Sequence, residues 1–239
     1  MSRRWQRPSA FAWILLLAGL ALFLSLARWQ WHRAQEKETL LASYAAAADA
    51  PLRQYAALPE TLAAEDYPRV AARGHYVADR GYWLDQQIHE GRVGRRAIAV
   101  FEPDGAPRRL LVDLGWVAAM PGGPAPVWPD LPLTGIELHG IYAPAPGGGL
   151  RIGGDALPRQ ASWPKLTLFV DMAAVAADLG TPVAPRLLLL DADPDSGFVR
   201  SWTPAVMPPE KHRGYALQWF TFALAAVVIF VVLHWRKSN

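Results

Sequence analysis

Hydrophobic positions in this chain concentrate in two uninterrupted runs, one near each end. Ser9 to Ala27 carries no charged residue, and Tyr215 to His234 carries no Asp, Glu, Lys or Arg. Each run is about as long as a helix needs to cross a hydrocarbon core of roughly 30 Å at about 1.5 Å per residue. The pattern predicts membrane-spanning helices over 9–27 and 215–234. It leaves short tails at 1–8 and 235–239, and one domain over 28–214 between the spans. A cleaved signal peptide is the other reading of the first run, since Ser25-Leu26-Ala27 fits a small-x-small cleavage site. Against it, the run exceeds the ~7–15 residues of a signal core, and Trp5, Trp13, Trp29 and Trp31 sit near its ends as interfacial anchors would.

Between the spans the period changes. From Arg28 to Ala48 the pattern stays helical, the first span running on as a stalk until Pro51. Short strands then follow at Arg69–Val77, Tyr82–Ile88, Arg96–Phe101, Arg109–Val117 and Gly135–Tyr142, punctuated by Gly, Asp and Pro. Glu102-Pro103-Asp104-Gly105 reads as a hairpin turn. Two long loops are expected, Met120–Pro132 with five prolines and two glycines, and the Gly/Pro-rich Pro144–Gly154. Loops of that length are usually functional or mobile. Asp171–Leu179 reads as a short helix closed by Gly180, and Arg186–Asp191 and Gly197–Trp202 as the last strands. The fold class is α+β: two transmembrane helices flanking one mostly antiparallel, β-rich domain with a few helices.

Charge sets the orientation. Arg3, Arg4 and Arg7 precede the first span, and Arg236 and Lys237 follow the second, with no acid in either tail. Basic flanks stay cytoplasmic, so both termini are expected inside and the domain outside the cytoplasm. Those five account for part of the 24 Lys+Arg; the remaining 19 face all 21 Asp+Glu, so the region between the spans is formally −2. A nucleic-acid partner would need a basic domain, and is not expected.

Candidate chemistry is sparse. With no cysteine, an exported domain has no disulfide framework, no covalent haem motif and no thiolate metal site. The four methionines are scattered. Glu65-Asp66 and Asp191-x-Asp193 are acid pairs, the second in a turn cluster where solvation explains it. Gly147-Gly148-Gly149 has no Lys-Ser/Thr after it, and no nucleophile elbow or zinc-protease motif occurs. No catalytic residue is assigned.

The informative residues lie where the two spans meet the outer interface. On a helix, His212, Tyr215, Ala216 and Trp219 share one face, continued by the small Ala223 and Ala226. That face leaves room for a flat ligand or for another helix. An imidazole beside aromatic and small residues suits an axial haem ligand, with Lys211 and Arg213 near propionates. On spacing alone, the same set is better explained as an ordinary interfacial cap. At the first span's exit Trp29, Arg33 and Lys37 form a stripe with Gln30 alongside, which also reads as an aromatic belt with snorkelling cations.

Two of these segments carry a family resemblance. Trp29-Gln30-x-x-Arg33-x-x-x-Lys37 and His212-x-x-Tyr215-Ala216-x-Gln218-Trp219-Phe220, each locked to a span, resemble the terminal signatures of the Surfeit-locus-one (Surf/Shy) family of haem–copper cytochrome c oxidase assembly factors. Gly74-His75-Tyr76, Gly91 with Gly94, and Leu111-Val112-Asp113-Leu114-Gly115-Trp116-Val117 are similar to its central strands. The resemblance implies a non-enzymatic factor of the bacterial inner (plasma) membrane that binds haem a at the outer interface and assists its delivery to subunit I. His212 is then the ligand to the haem iron, with Trp219 against the macrocycle and Tyr215, Arg33 and Trp29 as neighbours. Implied partners are cytochrome c oxidase subunit I, haem a synthase and membrane lipid. Two departures stand out: Ala27-Arg28 replaces the glycine usual before the first Trp-Gln, and Asp113-Leu114 stands where the family has Asn-Arg, so no role carries over for that arginine. His32 is an additional candidate ligand. The alternatives are a haem-free scaffold that stabilises subunit I, and a haem-modifying membrane enzyme. For the enzyme, more intramembrane histidines than His234 are expected.

Overall fold

The computed structural model describes residues 3–63, 65–120, 122–145, 157–200, 204 and 206–237. In chain order its strands and α-helices are β1 (Arg3–Trp5), α1 (Ala10–Ala48), β2 (Arg53–Gln54), β3 (Arg69–His89), β4 (Arg92–Pro103), β5 (Arg109–Ala118), β6 (Ile136–Ala143), β7 (Lys165–Thr167), α2 (Met172–Leu179), β8 (Val183–Leu190), α3 (Pro209–His234) and β9 (Trp235–Lys237). They divide into two compact units, Met1–Ala42 with Ala205–Asn239, and Ser43–Pro204.

The first unit is helical. α1 runs unbroken from the apolar segment through the stalk, as the helical pattern to Ala48 predicts. Ser9 starts it by accepting a hydrogen bond from Ala12 N–H at 3.1 Å. Pro209 opens α3 at a position where its missing N–H has no helical partner to lose. Both helices are long and apolar enough to cross a membrane. They run antiparallel: Trp13 meets Phe230 with ring centroids 4.8 Å apart, Phe23 meets Trp219 at 6.0 Å, and Gln30 meets His212. At the chain ends β1 and β9 pair antiparallel, placing Trp5 opposite Trp235.

The second unit is a closed β-barrel. β3, β4, β5, β8 and β6 follow one another in hydrogen-bonded order, and β6 pairs back onto β3. Closure depends on the length of β3: its first residues, Arg69–Gly74, pair with β6, while Gly74–His89 pair with β4. All of these contacts are antiparallel except β5 with β8. Two strands expected at Arg69–Val77 and Tyr82–Ile88 are thus one. Ala78-Asp79-Arg80 forms a bulge, with Asp79 at φ 53°, where a break between two strands was expected.

Alternation along the strands sorts side chains to the two faces of the wall. Ala97, Ala99, Phe101, Leu110, Val112 and Leu114 point into one cluster with Tyr76 and Trp83, the barrel interior. Ile98, Val100, Leu111 and Leu187 point the other way, onto Leu157 and Val175 of the covering segments. Burial on both faces explains why β4 and β5 read as nearly continuous apolar runs. α2 is the helix expected at Asp171–Leu179. Asp171 caps it through the N–H groups of Ala173 and Ala174, and Gly180 closes it at φ 63°.

The loop Met120–Pro132 is tied down rather than free. Arg95, buried in β4, donates to the carbonyls of Gly123 and Pro124, and Trp128 packs edge-on against Trp83 at 5.2 Å. Most of the expected loop Pro144–Gly154, including Gly147-Gly148-Gly149, lies outside the described residues. Of Gly197–Trp202, Val199 forms an isolated bridge with Trp116, and residues 201–202 lie outside the described set.

Candidate functional site

The α1–α3 seam is built from one stripe of α3. Pro209, His212, Ala216, Ala223 and Phe230 are its buried residues, at steps of three, four, seven and seven, and half-buried Trp219 falls between them. Steps of three and four keep one face on a neighbouring helix, and small residues there allow close approach. The face that left room for a flat ligand or another helix therefore carries a helix.

His212 is the polar member of that stripe, only 8 % exposed. Its Nδ1 lies 2.8 Å from Oε1 of Gln30 on α1. An amide oxygen only accepts, so Nδ1 holds the proton and donates. In the neutral ring Nε2 then keeps its lone pair, and no hydrogen bond to Nε2 is found among the described residues. Seven residues deeper, about 10 Å along the helix, Trp219 stacks on Phe23 with planes 23° apart. Gln30 is likewise seven residues from Phe23, so the two layers match across the seam.

The other candidates lie around this centre. Tyr215 is 44 % exposed; at about 100° per residue it falls roughly 60° off His212, on the flank of the seam. Trp29 is 54 % exposed and lies about 100° around α1 from Gln30, on the flank of the seam. Arg33 is engaged by Glu36 at 2.6 Å on its own helix. Arg213 pairs with Glu38 across the two helices, so it is not a free cation for a propionate. His32 lies about 200° around α1 from Gln30 and accepts from Arg28 Nε at 3.3 Å, far from the His212 face. His234 donates to the carbonyl of Phe230 at 2.7 Å and sits by Trp5, as a tail-side anchor would. The site thus unites His212 and Trp219 with Gln30 and Phe23. Of these, Gln30 stood in the sequence beside the Trp29 stripe and within the first terminal signature, with no role assigned to it, and Phe23 was not singled out at all.

The barrel carries a separate groove of about 510 Å³, lined by Tyr76, Leu114, Leu138, Phe198 and Arg200 among others. The acid pair there is neutralised: Asp191 accepts from Arg69 at 2.6 Å, and Asp193 lies 3.4 Å from Arg200. At its rim, hydrogen bonds from Arg73 and His139 hold the Glu137 carboxyl below its ordinary range. No group of three or more His, Cys, Asp or Glu side chains that could hold a metal ion occurs among the described residues.

The donor chemistry at His212 fits an axial haem ligand: a single imidazole whose far nitrogen is held by an acceptor. Comparison with known proteins shows the family and names no ligand or site residue. A curated relative, a SURF1-like protein of Monosiga brevicollis, is 23% identical over 255 residues, covering 98% of this chain and 91% of its own length. The family model described as the SURF1 family matches residues 17–224, a stretch that runs from within α1 to within α3. The chain belongs to the SURF1 family, a family of cytochrome oxidase assembly factors.

Proposed function

We propose that this chain holds haem a at the outer face of a bacterial inner membrane and assists its delivery to subunit I of cytochrome c oxidase. The observation that carries the reading is the Gln30–His212 contact, which leaves Nε2 as the ring's open donor at the start of α3. His212 would bind the iron. Trp219, two turns deeper, would pack against the macrocycle, and Tyr215 and Trp29 on the flanks would contact the porphyrin edge or lipid headgroups. Arg33, three residues on from Gln30 in α1 and paired with Glu36, would be a neighbouring cation. When bound, haem a supplies the redox-active iron that the oxidase requires; this chain binds and releases it, and no catalytic role follows. A single histidine suits a carrier, because one exchangeable ligand releases cargo more readily than two. The basic tails support a topology with both termini in the cytoplasm; His212 would then lie at the outer interface, where haem a synthase and subunit I would be partners.

One observation favours a second reading. Trp219 is stacked on Phe23, and Ala216 and Ala223 are buried, as in a helix pair that needs no ligand and acts as a haem-free scaffold for subunit I. Pyridine haemochrome analysis separates the two. The protein is purified in detergent from cells that make haem a, as wild type and as His212→Ala. The carrier reading expects haem a in a fixed ratio to protein, lost in the variant. Haem-free wild-type protein, with oxidase maturation still failing in His212→Ala cells, would leave the scaffold.

A further inference from the structure

We infer that Gln30 is the positioning residue for His212, setting both the tautomer and the ring plane that present Nε2 to iron; this rests on the haem reading above. An unrestrained neutral imidazole offers either nitrogen, and its ring turns about χ2 in a broad two-fold well. Here the amide oxygen of Gln30, 182 residues away in sequence, accepts a hydrogen bond from Nδ1–H at 2.8 Å. That contact removes one tautomer and one ring orientation at once.

The placement of Gln30 argues that this is its role. It lies in mid-helix, well inside α1 (Ala10–Ala48), so it caps no helix end. It occupies the seam position one heptad from Phe23, where an apolar residue would pack without desolvating an amide. The polar pair is therefore a departure from the apolar seam that His212 alone accounts for. Metal-bound histidines generally donate their other N–H to such an acceptor, and losing it weakens metal binding by about 10–100-fold.

The test uses the full-length protein in detergent, with haem a added, as wild type, Gln30→Leu, Gln30→Glu and His212→Ala. Affinity, the iron–histidine stretching frequency of the ferrous form and the midpoint potential are measured. Gln30→Leu is expected to weaken haem a binding about 10–100-fold and to lower the stretching frequency. Gln30→Glu keeps the side-chain shape and offers a stronger acceptor. It should raise that frequency and lower the midpoint potential, a change that a packing role would not produce. The Glu variant keeps the question open to test should the Leu variant fail to fold. If both Gln30 variants keep wild-type frequency and potential while His212→Ala loses haem, Gln30 is a packing residue and the proposal is wrong. If His212→Ala retains haem with an unchanged spectrum, the haem reading falls and takes this proposal with it.

Discussion

Arg96 donates its Nε proton to Asp113 Oδ2 at 2.6 Å, and Asp113 is only 2 % exposed in the barrel wall. The second carboxylate oxygen accepts from Gly115 N–H at 2.9 Å, so both are satisfied. Burial pushes the Asp113 carboxyl above its ordinary range, and the Arg96 guanidinium pulls against it. At the position where the family pattern has Asn-Arg, this chain thus has a carboxylate served by a neighbouring strand.

Breaking that pair on one side strands a buried charge. Arg96→Leu is expected to destabilise the barrel by about 3–5 kcal/mol, and replacing both partners with apolar residues to restore most of it. Urea unfolding followed by near-UV circular dichroism measures both. A loss below about 1 kcal/mol for the single variant, the range of an exposed pair, would contradict the assignment.

Closure of the barrel depends on β6 and β8 approaching at Gly140. A Cβ there would lie 2.0 Å from the Leu189 carbonyl oxygen, a backbone atom that cannot swing aside. Gly140→Ala should lower stability by about 1–3 kcal/mol, the usual range for overpacking. Wild-type stability in this variant would mean that the two strands do not pair as described.

Tyr44 links stability to alkaline pH. Burial, with Tyr67 alongside, pushes its phenol up from 10.0 to about 12. The unfolded phenol ionises first, so its contribution is complete below pH 10 and is lost as pH rises through about 12. Tyr44→Phe should flatten the decline of stability across that window in a pH series of thermal unfolding. A profile that still matches wild type would rule Tyr44 out as its source.

The ring layer of the seam is testable by a double-mutant cycle. Phe23 and Trp219 stack at 6.0 Å, so Phe23→Ala and Trp219→Ala should couple by about 0.5–1.5 kcal/mol beyond their separate effects. Strict additivity would show that the rings do not meet.

Much of this architecture is legible in the sequence, for identifiable reasons. The two spans announce themselves by composition, and the stalk by unbroken helix formers up to Ala48. α2 is bracketed by Asp171 and Gly180, whose capping roles are local. The rest is long-range. Asp79 looks like a turn residue, yet β3 carries it as a bulge because β4 pairs on both sides of it, with Gly74–Tyr76 before and from Gly81 after. β7 escaped because Lys165-Leu166-Thr167 is too short to show a period; its pairing with Tyr82–Leu84 defines it. Barrel closure is a property of strand order, which no local pattern encodes. At the site, His212 and Trp219 stood out by their residue types. The role of Gln30, and Phe23 altogether, became visible only when α1 was set against α3, although their spacing of seven residues, equal to that of His212 and Trp219, was a signal available beforehand.

The most direct test of the central claim is the optical spectrum of haem a bound to His212→Gly protein, recorded with and without added imidazole. Ligation by His212 predicts that the variant loses the wild-type spectrum and that imidazole, entering the vacated space as a ligand, restores it. A variant that keeps the wild-type haem a spectrum without imidazole would contradict the account.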